Sequence, residues 1–348
     1  MVYFGYMLDV QEHVALRDLT TFRLGATARY FSVIESVEDL KEAITLSKEK
    51  NIPYIVLGGG SNTIFSDEEV LECYVLQMNI PGFTVVDNTS THVLVQVGAG
   101  MNWDDVVKES VERGFGGIEA LSAIPGSAGA TPVQNVGAYG VEVAQVLEHV
   151  EVFNTETGEI ETLSAEACQF EYRDSIFKHT QGKKYIILSI TLKLSKNSPV
   201  SIPNYPGVME YFEKKGIINP TLLDVRNAIT EIRWTKLPDP KVLASCGSFF
   251  KNPIVENTLA EKLKAEYPNA VVHDVGGGFS KIGAGWLIDS LGHKGKEFGN
   301  LLIYERNALV IANKGDATKK ELLALVTQIQ KEVFEKFSIQ IEPEPIFV

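Results

Sequence analysis

The chain has 348 residues, 45% of them hydrophobic and 22% charged, and its 32 Lys and Arg against 45 Asp and Glu leave a net charge of −13. That length allows two or three domains with cores of their own, and the acidic balance disfavours a nucleic-acid backbone or an anionic membrane surface as main partner. No apolar run approaches the roughly 18–20 residues of a membrane span, no basic-then-apolar leader stands at Met1 to Val10, and Cys73, Cys168 and Cys246 are too scattered for a disulfide framework or a metal site, so a reduced, cytoplasmic setting is expected.

Strand-like and helix-like segments alternate along the chain. Ser36 caps a helix with Leu40, Ala43 and Ile44 on one face, and Tyr54 to Leu57 reads as a short buried strand ending in glycines. Val93 to Val97 predicts another strand, followed by an Asn102-capped helix whose apolar stripe is Trp103, Val106, Val107 and Val111. Val146 to Phe153 alternates and reaches a turn at Thr157-Gly158. Leu188, Ile190, Leu192 and Leu194 alternate with Ser189, Thr191 and Lys193, which predicts a strand with one solvated face. Thr221 opens a helix with Val225, Ala228, Ile229 and Ile232 inward, and the prolines of Trp234 to Pro240 suggest a domain crossing. Leu309 to Ala312 reads as a strand, and Thr318 to Glu321 as a capping box for a long last helix with Leu322, Leu325, Val326, Ile329 and Val333 inside. The class is mixed α and β.

Two glycine-rich stretches interrupt this pattern. Gly58-Gly59-Gly60-Ser61-Asn62 follows the short strand, so its backbone N–H groups could approach a phosphate; a plain tight turn is the competing reading. The spacing is not Gly-x-Gly-x-x-Gly opening a helix, which argues against a Rossmann site. Leu121 to Gly140 holds no charged residue and is dense in Gly, Ala, Ser and Thr. Such a stretch lets backbone lie flat against something large and planar, with Ser127, Thr131, Gln134 and Asn135 as polar side chains. A tightly packed structural loop is the alternative. The six histidines have no metal-ligand spacing, and no metal is expected.

The pair of stretches resembles the flavin-binding half of the vanillyl-alcohol-oxidase-type fold. Within it, Ile124 to Gly140, reading Ile-Pro-Gly-Ser-Ala-Gly-Ala-Thr-Pro-Val-Gln-Asn-Val-Gly-Ala-Tyr-Gly, and Thr20-Thr21-Phe22-Arg23-Leu24-Gly25 resemble the UDP-N-acetylenolpyruvoylglucosamine reductases. The likeness runs from about Thr20 to the C-terminus. It implies an α+β fold: a two-part FAD-binding region, residues 1–80 and 81–235, with the tail 338–348 returning near the first part, and a separate α/β substrate domain at 236–337. The cofactor residues it implies are Gly58, Gly59, Gly60, Ser61, Asn62, Ser122, Ile124, Pro125, Gly126, Ser127, Gly129, Ala130, Gln134, Asn135, Gly137 and Ala138.

Three blocks would carry the chemistry. Tyr172 to Lys178 supplies an arginine that maps onto Arg173, although Arg173 beside Asp174 is also what a surface ion pair looks like. Cys246 to Pro253 has no Gly-x-Ser-x-Gly elbow, so a hydrolase nucleophile is not indicated; the resemblance makes Ser248 a proton donor, and Cys246 reads as a packing residue. The family's essential glutamate maps onto Glu344, with Glu342 as fallback, because the usual Val-Arg after it is Pro345-Ile346 here. The resemblance further implies substrate contacts from Tyr139, Arg173, Lys236, Ser248 and Asn252. Tyr205 stands where the longer-loop subtype has a tyrosine over the substrate diphosphate, though an exposed loop aromatic reads the same. Ser290 stands where some relatives carry a glutamine.

The reaction implied is NADPH-dependent reduction of UDP-N-acetylglucosamine enolpyruvate to UDP-N-acetylmuramate in peptidoglycan precursor synthesis. Hydride passes from N5 of non-covalently bound FAD to C3, and Ser248 gives a proton to C2. Small-molecule partners, no nucleic acid, no membrane and a monomer are the matching expectations. The rival readings are an FAD-dependent oxidase of the same fold and a non-catalytic nucleotide-sugar or flavin-binding relative.

Overall fold

A computed structural model, which describes residues 8–196 and 200–348, has helices α1 (Val37–Lys50), α2 (Trp103–Glu112), α3 (Pro206–Lys215), α4 (Leu222–Lys236), α5 (Asn257–Glu266), α6 (Ala284–Asp289) and α7 (Lys319–Phe337), of which α1, α2, α4 and α7 are the four that the apolar spacing predicts. The reading of the N-terminus falls largely on residues 1–7, outside the described residues. Caps explain several of the starts. The Ser36, Asn102 and Thr318 side chains accept the N–H groups of Asp39, Asp105 and Glu321, and at Thr318 the Glu321 side chain reaches back to complete a capping box. Thr221 Oγ1 likewise accepts from Asp224 N–H ahead of α4. The expected inward residues are the buried ones in all four helices.

Two units make up the chain: Met1–Val14, Thr27–Gly60 and Val70–Arg233 form one, and Ala15–Ala26, Ser61–Glu69 and Trp234–Val348 the other. The two larger sheets of the first unit have four and five strands. One runs in the order Gln11–Ala15, Thr27–Ile34, Val70–Met78, Tyr54–Leu57, with Val70–Met78 parallel to both Thr27–Ile34 and Tyr54–Leu57. The other is antiparallel, in the order Ile160–Ser164, Leu147–Asn154, Tyr185–Ser195, His92–Gly98, Phe83–Asn88.

Its central strand Tyr185–Ser195 corrects one expectation. The strand is covered on both faces, with Ser189 and Thr191 buried and only Lys193 of the polar set exposed. A register shift opposite Glu151 and Val152 breaks the alternation. Ile187 thereby joins Ile190, Leu192 and Leu194 in the core around Trp103, while Ile186 and Leu188 enter the core around α1 and Tyr74. The buried Ser189 hydroxyl is satisfied, donating to Glu151 and accepting from Gln96.

The second unit is stitched together from three stretches of chain. A sheet in the order Ala244–Ser245, Ile311–Asn313, Leu301–Ile303, Glu297–Phe298 and a hairpin-like sheet of Ile254–Glu256, Phe279–Ile282 and Val272–Gly276 surround α5, α6 and α7. The strand expected at Leu309 to Ala312 runs instead from Ile311 to Asn313. The N-terminal motif Thr20 to Gly25 contributes here by packing: Phe22 and Leu24 lie in the core with Phe249 and Phe250, and Asn313 Nδ2 donates to the Phe22 and Arg23 carbonyls. The last strand, Ile346–Phe347, pairs parallel with Thr63–Ile64. No helix is long and apolar enough to cross a membrane among the described residues.

Candidate active site

The two glycine-rich loops of the first unit touch each other. A Cβ on Gly59 would lie 2.8 Å from Gly126 Cα, and one on Gly58 would lie 2.5 Å from Ser127 Oγ. Farther along, a Cβ on Gly129 would lie 2.6 Å from Ala99 Cβ. The loops are therefore glycine-rich because nothing larger fits. Gly126 has φ +126° and Ala123 φ +58°, so the turn around Pro125 is held in left-handed backbone conformations.

Several polar side chains of the long loop bond to other protein groups. Ser122 Oγ donates to the Glu119 carbonyl, and Thr131 Oγ1 to that of Ala128. Asn135, 2% exposed, donates to Glu142 and the Glu171 carbonyl and accepts from Ala144 N–H. Thr131 and Asn135, both polar side chains that the composition of the loop offers to a ligand, have these partners within the protein. Ser127 is the exception. Its hydroxyl is buried with no partner, and among the described residues no protein acceptor takes the N–H of Gly59, Gly126 or Ser127. Small residues that cannot be enlarged, donor amides and an orphan hydroxyl fit the phosphates of a dinucleotide.

Arg173 sits at φ +56°, its guanidinium over the Tyr172 ring. It donates to the Gly137 carbonyl at 2.5 Å and the Asn135 carbonyl at 3.4 Å, and lies 3.8 Å from Glu142. Its neighbour Asp174 pairs with His179 at 2.8 Å. The surface pair that the sequence suggested between Arg173 and Asp174 is thus replaced by two separate pairings. The guanidinium is held on the last part of the flavin-type loop, where Gly137 and Ala138 pair with Val141 and Glu142. Tyr139, also at positive φ, meets Tyr205 edge to face at 5.1 Å between ring centroids. Burial pushes the Tyr139 phenol up; the Arg233 charge opposes this and Tyr205 adds to it. Tyr205 is half-buried against the core of α3 and α4, just before Pro206 opens α3.

In the second unit, Ser248 stands between Gly247 at φ +74° and two fully buried phenylalanines, Phe249 and Phe250. These rings anchor the segment, and truncating either would cost about 3–5 kcal/mol. The C-terminal tail runs antiparallel beside it: Glu344 N–H donates to the Phe249 carbonyl at 2.8 Å, and Lys251 N–H to that of Glu342 at 2.9 Å. Past Pro345 the tail changes partner, and Ile346 N–H donates to the Asn62 carbonyl at 2.9 Å. Pro345 lacks a donor at the point where the chain switches from one neighbour to the other, so the departure from Val-Arg is absorbed there.

This arrangement separates the two glutamates. The Glu342 side chain is 76% exposed, with Lys251 at 3.5 Å. The charge of Glu344 instead acts on Cys246, two residues before Ser248: burial first, then Glu344, pushes that thiol far above its ordinary range. Cys73 and Cys168 are raised to about 11 and about 12, mainly by burial. All three cysteines are buried, as packing residues are. Asn252 Oδ1 accepts the Ala284 N–H at the start of α6, Ser290 ends that helix, and Lys236 is an exposed residue closing α4. Asp104 and Arg226, which motif reading passed over, form a bidentate pair beside the loop at Ala123. Nothing in local spacing links two residues so far apart in the chain.

Comparison with known proteins gives this geometry a family. A profile of an FAD binding domain matches residues 28–164, and one of the UDP-N-acetylenolpyruvoylglucosamine reductase C-terminal domain matches residues 239–348. UDP-N-acetylenolpyruvoylglucosamine reductases from Amoebophilus asiaticus and Pseudomonas aeruginosa are each 40% identical to it, over 97% of this chain and 98% of theirs. The chain belongs to the UDP-N-acetylenolpyruvoylglucosamine reductase family. The crystal structure of a reductase of this family from Thermus caldophilus superposes with a TM-score of 0.67 at 25% identity, covering 98% of both chains. The fold is accordingly α+β, with the FAD-binding architecture expected from the glycine-rich loops. As a UDP-N-acetylenolpyruvoylglucosamine reductase the chain is an oxidoreductase that works with FAD, with NADPH as reductant, in peptidoglycan precursor synthesis.

Proposed function

We propose that the chain reduces the enolpyruvyl ether of UDP-N-acetylglucosamine to UDP-N-acetylmuramate with the residues assigned here. The observation that carries this reading is the pairing of the C-terminal tail with Phe249 to Lys251, which brings Glu344 to the Ser248 segment while Glu342 faces solvent. The two glycine-rich stretches are assigned to FAD. Gly58, Gly59, Gly60, Ile124, Pro125, Gly126, Gly129, Ala130 and the Ser127 hydroxyl form the cradle, with Ser61, Asn62, Gln134, Gly137 and Ala138 contributing polar or backbone contacts; Ser122 and Asn135 act through the shape they give the loop. The second unit is assigned mainly to the sugar nucleotide.

When bound, FAD supplies a hydride donor that NADPH recharges. The protein's own groups do the rest. Arg173 binds the substrate carboxylate and stabilises the negative charge that grows there as C3 takes the hydride. Glu344 acts from the tail that pairs with the Ser248 segment, as the carboxyl group of the reaction. Ser248 delivers the proton to C2, so hydride and proton together add two hydrogens across the double bond. Tyr139, Tyr205, Lys236 and Asn252 hold the sugar nucleotide. Tyr205, already packed on Tyr139, suits the longer-loop role over the diphosphate. The enzyme is assigned to the cytoplasm as a monomer without nucleic-acid or membrane partners.

Ser248→Ala tests the proton donor. Flavin reduction by NADPH should keep its rate, and reoxidation by substrate should slow by roughly 10²–10⁴. Equal slowing of both half-reactions would remove Ser248 from the role.

A further inference from the structure

The first turn of α2 is fastened to the flavin-type loop at successive points. The Trp103 indole N–H donates to the Leu121 carbonyl at 3.1 Å, Asp104 Oδ1 accepts the Ala123 N–H at 2.6 Å, and Trp103 N–H donates to the Gly126 carbonyl at 3.0 Å. Trp103 is fully buried, so this turn is a fixed post. Ala123 has φ +58°, a conformation an L-residue keeps only when its surroundings hold it. The hydrogen bond to Asp104 is what holds it.

Asp104 has a second engagement. Arg226 of α4 grips it with both ends of the guanidinium, at 2.6 Å and 2.9 Å. The side chains are 13% and 34% exposed, so the pair is partly withdrawn from water. Burial pushes the Asp104 carboxyl up, but the Arg226 and Ala123 hydrogen bonds and the charges of Arg226 and Arg233 outweigh it, and the net direction is below 3.8. Arg233 lies two turns further along α4, and its charge also reaches Tyr139. Helices α3 and α4 share a core of Val208, Phe212, Val225 and Ile229, and Tyr139 and Tyr205 pack against it.

We infer that Asp104 and Arg226 are positioning residues that couple the Tyr205-bearing helix pair to the flavin loop. The backbone of Ala123 to Ser127 and the seat of Tyr139 and Tyr205 are set by one charged clamp, so occupancy of the tyrosine side biases the shape of the loop, and the reverse. This rests on the reading above that the loop holds FAD. A brace of purely structural value would stabilise the unit without linking the two ligands.

The test uses the holoenzyme with Arg226→Met, Arg226→Lys, Asp104→Asn and the Arg226→Met/Asp104→Asn double variant. Three quantities are read: the FAD dissociation constant by flavin fluorescence, the change in flavin absorbance when UDP-N-acetylglucosamine is added without NADPH, and KM against kcat for the enolpyruvyl substrate. Arg226→Met should weaken FAD about tenfold, shrink the absorbance response several-fold and raise KM more than it lowers kcat. Arg226→Lys should recover part of each, and the double variant should be no worse than the poorer single one, because both act on one contact. If thermal stability falls while FAD affinity and the absorbance response stay at wild-type values, the pair is only a brace and the inference fails. Arg226→Lys and Asp104→Asn carry the test should Arg226→Met not fold. A wild-type protein that takes up no FAD would instead overturn the assignment of the loop.

Discussion

Replacing Gly59 by alanine adds one methyl group at the point where the two glycine loops meet. The new Cβ would sit 2.8 Å from Gly126 Cα, 3.0 Å from Gly126 C and 3.2 Å from Ser127 N. All three are backbone atoms, so no side chain can rotate away and the loops must part. Overpacking of this kind costs about 1–3 kcal/mol. If the loops separate freely without FAD, the cost falls on binding and the dissociation constant rises roughly 5- to 150-fold. If they do not, the FAD-free protein loses stability, and its melting temperature falls by roughly 2–4 °C per kcal/mol for a unit of this size. Gly58→Ala should do less, because its close neighbour at 2.5 Å is the Ser127 hydroxyl, the end of a side chain that can turn. Flavin fluorescence titration and thermal denaturation of the FAD-free protein measure both arms. A Gly59→Ala protein with wild-type affinity and wild-type melting temperature would show that the loops are not packed together as described.

Ser127→Ala should separate binding from folding. The hydroxyl has no hydrogen-bond partner within the protein, so its loss should leave the melting temperature measured without FAD equal or higher, while FAD binding weakens by roughly 2- to 10-fold; a fall in stability with unchanged affinity would count against its role. Glu344→Gln should lower kcat for the substrate half-reaction by tenfold or more, and Glu342→Gln should stay within about twofold, because the Glu344 N–H pairs with Phe249 and its charge acts on Cys246, whereas the Glu342 side chain is exposed; the opposite ranking in stopped-flow reoxidation would return the role to Glu342. The thiols should be inert in the native protein. Raising Cys73 from 9.0 to about 11 cuts its thiolate fraction near neutral pH roughly a hundredfold. Native protein should therefore resist a thiol reagent that labels all three cysteines after denaturation, and one fast-reacting native thiol would contradict the packing role.

The periodic parts of the fold were readable because their signals are local. Ser36, Asn102 and Thr318 announce helix starts through a side chain that reaches three residues ahead, and the stripes beneath them face the core for the same geometric reason. Tyr185–Ser195 misled because a single bulge flips which residues share a face, and a bulge is decided by the partner strand. The glycine loops were recognisable by composition, yet which polar side chains face a ligand was not. Asn135 and Thr131 look as available as Ser127 until their hydrogen bonds are drawn. The resemblance prefers Glu344 to Glu342, and the register of the tail against Phe249 and Lys251 is what separates their surroundings. Asp104 and Arg226 are far apart in the chain, so their pairing becomes visible only when α2 and α4 are folded.

The most direct test is to reduce the FAD-loaded protein with NADPH under anaerobic conditions, mix it with UDP-N-acetylglucosamine enolpyruvate and follow the flavin absorbance. Rapid return of the oxidised band, with formation of UDP-N-acetylmuramate, is the result the assigned site requires. A flavin that is reduced by NADPH yet stays reduced in the presence of this substrate would contradict it.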